Sequence, residues 1–132
     1  KLGFLTGNAH WHNRADELIR SFAGELNHNI FPLGSYLSSF ETALQPLQVI
    51  LIGTAIETAD LAEVALKLAL PTRILMRVAD GRLLPAGHPA HGKVKRDDLP
   101  TAYVCVGQTC SLPVTDAAHL TSALHAARAT PL

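Results

Sequence analysis

Hydrophobic residues recur with helical spacing in two stretches near the start of the chain. Between Asn13 and Asn27 they fall three and four positions apart, the period that places side chains on one face of a helix. We expect Asn13 to cap this helix and NHN, residues 27–29, to end it, although the helix can begin a few residues earlier. A second stretch of the same kind follows Pro32 and ends at Pro46. Together the two stretches predict a helical hairpin over residues 1–46.

The rest of the chain, residues 47–132, begins with a strand, a helix and a second strand. The unbroken apolar run LQVILI, residues 47–52, predicts a strand that is buried on both faces, as in a parallel sheet. A helical pattern over residues 57–70, with Leu66 among its inner residues, ends at Pro71, and TRILMRVA predicts the next strand. This succession is a βαβ crossover, whose two strands are parallel neighbours.

The segment from Asp80 to Pro100 has three prolines, three glycines and no sustained period, which predicts an irregular surface loop. TAYVCV resumes as a third strand, and GQTCSLP predicts a turn or irregular return. A last helix is expected from about Asp116 to Arg128, with Thr115 as its cap and with Leu120 and Leu124 on its inner face. We therefore predict a three-layer α/β fold with a short, mainly parallel three-stranded sheet, preceded by the helical hairpin and closed by the C-terminal helix.

Composition restricts the classes of function. Of the 132 residues, 48% are hydrophobic and 17% are charged, so we expect a partner to cover part of the surface. The 11 basic and 11 acidic residues cancel, which disfavours binding to nucleic acid, and no apolar run is long enough to cross a membrane. Two cysteines are too few for a secreted disulfide framework, so we expect a cytoplasmic location. Lys1 is not an initiator residue, and residues 1–10 lack the zones of a signal peptide, so we expect a fragment of a longer protein.

Cys105 and Cys110 are the most suggestive residues, and three interpretations of them stay open. A turn between them permits a disulfide, whereas addition of His88 and His91 makes a set suited to zinc. The four intervening residues do not match the Cys-x-x-Cys of a thioredoxin-type centre. Spacing therefore favours two reduced, mostly buried thiols. We assign no catalytic residue, metal or cofactor, and keep the cysteines as the candidate redox pair.

Gly53, directly after the first strand, allows a second kind of site. Backbone N–H groups at such a bend can hold phosphate, and Glu57 and Asp60 lie near the same end of the sheet. The sequence lacks both the three-glycine dinucleotide motif and the lysine of a P-loop. We therefore expect Gly53 to serve backbone geometry, with small-ligand binding as the alternative.

The stretch LPTAYVCVGQTCSLPVTD, residues 99–116, resembles the C-terminal signature of the YyaL-like and spermatogenesis-associated thioredoxin-domain-containing family. The preceding segments FLTGNAHWHNRADELIRSFAGEL and FPLGSYLSSFETALQPLQVILIG are similar to the family's preceding segments. The resemblance is most specific at Tyr103, Cys105, Cys110, Pro113, Thr115 and Asp116.

This resemblance implies a full-length protein with an N-terminal thioredoxin-like domain, a central α/α toroid of the six-hairpin glycosidase type and this piece at the end. Residues 1–46 would then close the toroid, and residues 47–132 would form a small α/β C-terminal domain. The resemblance identifies no reaction for this piece. We expect a noncatalytic accessory domain that contacts the parent toroid and thioredoxin-like domain, or forms a homodimer in isolation. A redox or regulatory element at Cys105 and Cys110 is the alternative.

Overall fold

The computed structural model describes residues 1–24 and 34–129. Its helices are α1 (Leu2–Thr6), α2 (Ala9–Phe22), α3 (Gly34–Leu44), α4 (Ala59–Lys67) and α5 (Ala117–Ala129). Its strands are β1 (Leu47–Ile52), β2 (Arg73–Val78), β3 (Thr101–Val106) and β4 (Thr109–Cys110). The expected break of the first helix at NHN, residues 27–29, lies outside the described residues.

Helices α1, α2 and α3 form the first part of the chain. The main amphipathic helix begins at Ala9, and Asn8 rather than Asn13 caps it by accepting the His10 backbone N–H at 2.9 Å. Helix α3 contacts α2, because the Tyr36 hydroxyl donates to the Ile19 carbonyl at 2.7 Å.

The sheet has four strands in the order β2-β1-β3-β4. β1 and β2 are parallel, as the crossover pattern predicts, with Leu47 opposite Arg73. β3 runs antiparallel to β1, with Thr101 opposite Ile52, and β4 runs antiparallel to β3. The prediction of a mainly parallel, three-stranded sheet is therefore wrong, because the sheet is mixed.

The loop between β2 and β3 explains the reversed direction of β3. Strands β1 and β2 end at the same edge of the sheet, and the pairing of Ile52 with Thr101 starts β3 at that edge too. A parallel third strand would need a connection that crosses back, usually a helix. The connection contains a single short 3₁₀ turn, Gly81–Leu83, so the chain stays at this edge and β3 returns from it.

Strand β4 forms a tight hairpin with β3. Val106 lies opposite Thr109, which leaves Gly107 and Gln108 as a two-residue turn. Gly107 has a φ of 57°, and a glycine at the first central position is the signature of one of the two common hairpin turns. We had expected only a turn or irregular return at this point.

Two hydrophobic clusters cover the two faces of the sheet. On one face, β1 and β3 pack against α4 and α5 through a core that includes Leu47, Val49, Leu51, Val104, Leu61, Ala65, Leu120 and Leu124. The other face is covered by the long loop, whose Leu84 and Ala90 join Ile50, Ile52 and Tyr103. Helices thus cover one face and a loop the other, which corrects the expected three layers. β1 is buried on both faces although only one of its neighbours is parallel.

The ends of α4 and α5 differ in detail from the sequence pattern. Asp116, not Thr115, caps α5, because its Oδ1 accepts the His119 backbone N–H at 2.9 Å. Leu66, expected inside, is exposed. The Arg73 guanidinium donates to the Leu68 carbonyl at 2.9 Å and so holds the chain just after α4. Over the described ranges, every helix is too short or too polar to cross a bilayer.

Candidate functional site

Cys105 and Cys110 are joined in a disulfide, with an Sγ–Sγ distance of 2.01 Å and a Cα–Cα distance of 3.9 Å. The tight hairpin causes this pairing, because it places the two residues directly opposite each other on β3 and β4. The expectation of two reduced thiols is therefore wrong for this structure. The spacing looked unsuitable for redox chemistry because a thioredoxin motif begins a helix, whereas here the cysteines bridge two strands.

Cys105 and Cys110 differ in their exposure to solvent. Cys105 is fully buried in the cluster beneath the long loop, together with Ile50 and Tyr103. Cys110 lies on the edge strand and is partly exposed. An incoming thiolate therefore reaches Cys110 first, and Cys105 is the natural leaving group. The arrangement can support thiol–disulfide exchange, and the redox role of the pair stays a prediction.

The zinc alternative finds no support in the geometry. Both cysteine sulfurs are bonded to each other. The Nδ1 atom of His91 pairs with the Leu84 carbonyl at 2.7 Å, and that of His88 accepts the Ala90 backbone N–H at 3.1 Å. Across residues 1–24 and 34–129, no three His, Cys, Asp or Glu side chains are placed to hold a metal.

At the end of β1 near Gly53, the Glu57 carboxylate occupies the position that a bound anion would need. The Glu57 carboxylate accepts the Thr54 backbone N–H at 2.7 Å and the Lys95 ammonium at 2.8 Å. The hydrogen bond from Lys95, followed by that from Thr54, lowers the pKa of Glu57 to about 2. Gly53 itself has a φ of 141°, which side chains rarely adopt, so it serves backbone geometry.

The helical part of the chain presents an apolar surface. Eight large hydrophobic side chains on α1, α2 and α3 are between 38% and 51% exposed. They are Leu2, Leu5, Trp11, Leu18, Phe22, Leu37, Phe40 and Leu44. Helix α2 has no buried residue, and a groove of about 660 Å³ runs between the three helices. Trp11, Leu18 and Phe22 line this groove, and the other five side chains lie outside it. We use the term apolar helical face for the eight exposed side chains together.

A second cavity, of about 530 Å³, lies where the helices meet the start of β1 and the tip of the β3–β4 hairpin. Gln48 and His88 contribute to its wall, and both are more than nine-tenths buried. Sequence reasoning passed over Gln48 and considered His88 only as a zinc ligand. The available signal was the single polar residue inside the apolar run LQVILI.

Comparison with known proteins identifies a relative of this chain. The chain is similar to human spermatogenesis-associated protein 20. The two sequences are 28% identical over 132 residues, which cover 95% of this chain and 17% of the relative. The chain thus spans about a sixth of that relative's length. No family model and no solved structure matches the chain.

This similarity supports the relation to the spermatogenesis-associated family that the residues around Cys105 and Cys110 suggested. Where the chain lies within a longer protein, and its division at residue 46, stay predictions.

Proposed function

We propose that this chain is a noncatalytic accessory domain of a longer protein, and that its apolar helical face packs against an α/α toroid of that protein. The observation that carries the proposal is the exposure of that face. The similarity to spermatogenesis-associated protein 20, of which the chain spans 17%, supports a longer parent.

The energetic argument rests on the eight side chains of the apolar helical face. Full burial of a Leu or Phe side chain contributes about 1.5–3 kcal/mol, so covering the exposed part of each contributes about 1 kcal/mol. Helix α2 is amphipathic yet buries none of its residues against the sheet. A helix with this pattern is stable in water chiefly when another surface covers its apolar side.

A toroid is the favoured partner because the family resemblance makes residues 1–46 its last helices. A second copy of the chain is the competing partner, and the two make different predictions. The toroid would protect α2 in the full-length protein at any concentration, whereas a homodimer of the isolated chain would dissociate on dilution.

The test is amide hydrogen exchange of α2 in the full-length protein and in the isolated chain. We expect slower exchange of α2 in the full-length protein, because the toroid covers it. Helix α5, whose apolar side already packs on the sheet, is the internal control and should exchange at the same rate in both. Equal exchange of α2 in the two forms would contradict the proposal, and slowing that depends on concentration in the isolated chain would favour the homodimer.

A second candidate function is that of a redox element, which the Cys105–Cys110 disulfide favours. A thiolate of an external dithiol attacks Cys110 Sγ, and Cys105 leaves as a thiolate that takes up a proton. The second thiol of the reductant then releases Cys110, so that two electrons pass to this chain and the reductant becomes a disulfide. The thioredoxin-like domain implied by the family resemblance is the proposed dithiol. In the cytoplasm, where we expect the protein, disulfides are usually catalytic or regulatory.

This second function is tested by equilibrating the chain in dithiothreitol buffers of graded potential and counting alkylated cysteines. We expect a midpoint above about −300 mV, within reach of cellular dithiols. A more negative midpoint would mark a purely structural disulfide. The Cys110→Ala variant, which cannot form the bond, provides the baseline.

A further inference from the structure

We propose that the outer edge of β2 binds an extended peptide segment as an additional strand, and that this segment carries an acidic residue on the face of the sheet from which Arg77 projects. Among the described residues, β1 is the only strand paired with β2, so β2 is an edge strand. The opposite edge is formed by β4, which has only two residues. The inference does not rest on the accessory role or on the redox role, because neither uses β2.

The backbone groups of Leu75 and Arg77 point away from β1. In a parallel pair every second residue of a strand bonds to its neighbour, and the Val78 carbonyl accepts the Gly53 N–H at 3.0 Å on the β1 side. Leu75 and Arg77 alternate with Val78 and therefore face outwards. No described residue bonds to the backbone N–H or carbonyl of either. A row of donors and acceptors of this kind is a template on which another strand can pair.

The Arg77 side chain determines the charge of the segment. It is exposed, and its Nε donates to the Thr58 hydroxyl at 2.7 Å, which holds the guanidinium on the α4 side of β2. Thr58 is fully buried, so this anchor is fixed by packing. In the described part of the chain the guanidinium has no carboxylate partner. A carboxylate on an adjacent strand can accept two parallel hydrogen bonds from its remaining N–H groups.

A second copy of the chain is a poorer occupant of this edge. β2 contains two arginines and no acidic residue, so the pairing of two β2 strands supplies no counter-ion to either arginine. In the antiparallel pairing centred on Leu75, Arg73 of each copy lies opposite Arg77 of the other, and like charges in that position are destabilising. An acidic segment meets neither cost.

The other face of β2 determines the apolar residues of the segment. Ile74, Met76 and Val78 project from that face, and the last two pack against the cluster beneath the long loop while staying partly exposed. Apolar side chains on an added strand would cover them as cross-strand neighbours. The segment that fits is therefore one in which apolar residues alternate with polar ones, with an acidic residue among the polar positions.

The test titrates the chain with a capped seven-residue peptide of alternating valine and threonine, in which glutamate replaces the central threonine. NMR follows the backbone amides of β2. We expect the amides of Leu75 and Arg77 to shift and to exchange more slowly with solvent, because each gains a hydrogen bond. The amides of Ile74 and Met76, which face β1, are the internal control and should change little.

Matched peptides with glutamine or lysine at the central position test the charge. We expect the glutamine peptide to bind about threefold and the lysine peptide about tenfold more weakly than the glutamate peptide, the effect of one cross-strand charge pair. Arg77→Gln should remove these differences. Arg20→Gln, at an exposed position of α2, makes the same change in net charge and should preserve them.

Two N-methylated forms of the glutamate peptide test the mode of binding. Methyl groups on alternate amides block one edge of an extended peptide, so one form should lose binding and the form methylated on the other set should keep it. Binding of both forms or of neither would overturn strand addition, and equal affinity for the three central residues would overturn the acidic preference. The absence of any shift at millimolar peptide would overturn the inference as a whole.

Self-association is a further outcome of the same experiment. Protection of the Leu75 and Arg77 amides that rises with chain concentration in the absence of peptide would place a second copy at the edge and overturn the proposal. If Arg77→Gln does not fold, the central-residue series and the N-methylated pair on the unmodified chain decide the question.

Discussion

Reduction of the Cys105–Cys110 disulfide should lower the free energy of unfolding of this chain by about 2 kcal/mol. The bond closes a short loop, with a sequence separation of 5 between the cysteines. For a loop of this size the chain-entropy relation gives about 7 cal/mol/K, which is about 2 kcal/mol at 25 °C. Unfolding entropy is about 2.1 cal/mol/K per residue, so for 132 residues this loss corresponds to a decrease in Tm of about 7 °C.

The assay is thermal unfolding followed by circular dichroism, with and without a phosphine reductant, combined with thiol counts in denaturant. The oxidised chain should contain no free thiols and the reduced chain two. The Cys105→Ala/Cys110→Ala double variant should show the same Tm with and without the reductant. A decrease of less than about 2 °C on complete reduction would refute the loop-closure argument. Two free thiols in the untreated chain would refute the disulfide itself.

Two further predictions concern packing and charge. Leu124→Ala removes a fully buried side chain of the core between α5 and the sheet and should cost about 3 kcal/mol in denaturant unfolding, whereas Leu112→Ala, at a position 84% exposed, should stay within about 0.5 kcal/mol of the parent. Glu57→Gln should destabilise the chain at neutral pH. The pKa of Glu57 is about 2 in the folded chain, below its ordinary value of 4.5. The stability that the charged Glu57 contributes is therefore complete above pH 4.5 and is lost as the pH falls towards 2. Tm measured against pH should therefore converge for Glu57→Gln and the parent in acid, and a constant difference would contradict this origin.

The spacing of residues within single segments was sufficient to predict several elements of this chain. The apolar run LQVILI predicted β1, and the strand, helix and strand that begin with it predicted the parallel pair of β1 and β2. Leu120 and Leu124 were expected on the inner face of α5, and both are fully buried. These features depend on the spacing of residues within one segment, which the sequence contains directly.

The tertiary structure alone decided how distant segments meet. The direction of β3 depends on the edge of the sheet at which the long loop ends and β3 begins. The pattern of residues within β3 does not indicate which edge that is. The disulfide depends on the register of a two-residue hairpin, and the pairing of Glu57 with Lys95 joins residues 38 positions apart. Burial of Gln48 and His88 in one cavity wall is likewise a property of packing. Contacts of this kind join residues that are far apart along the chain, so the pattern within one segment does not predict them.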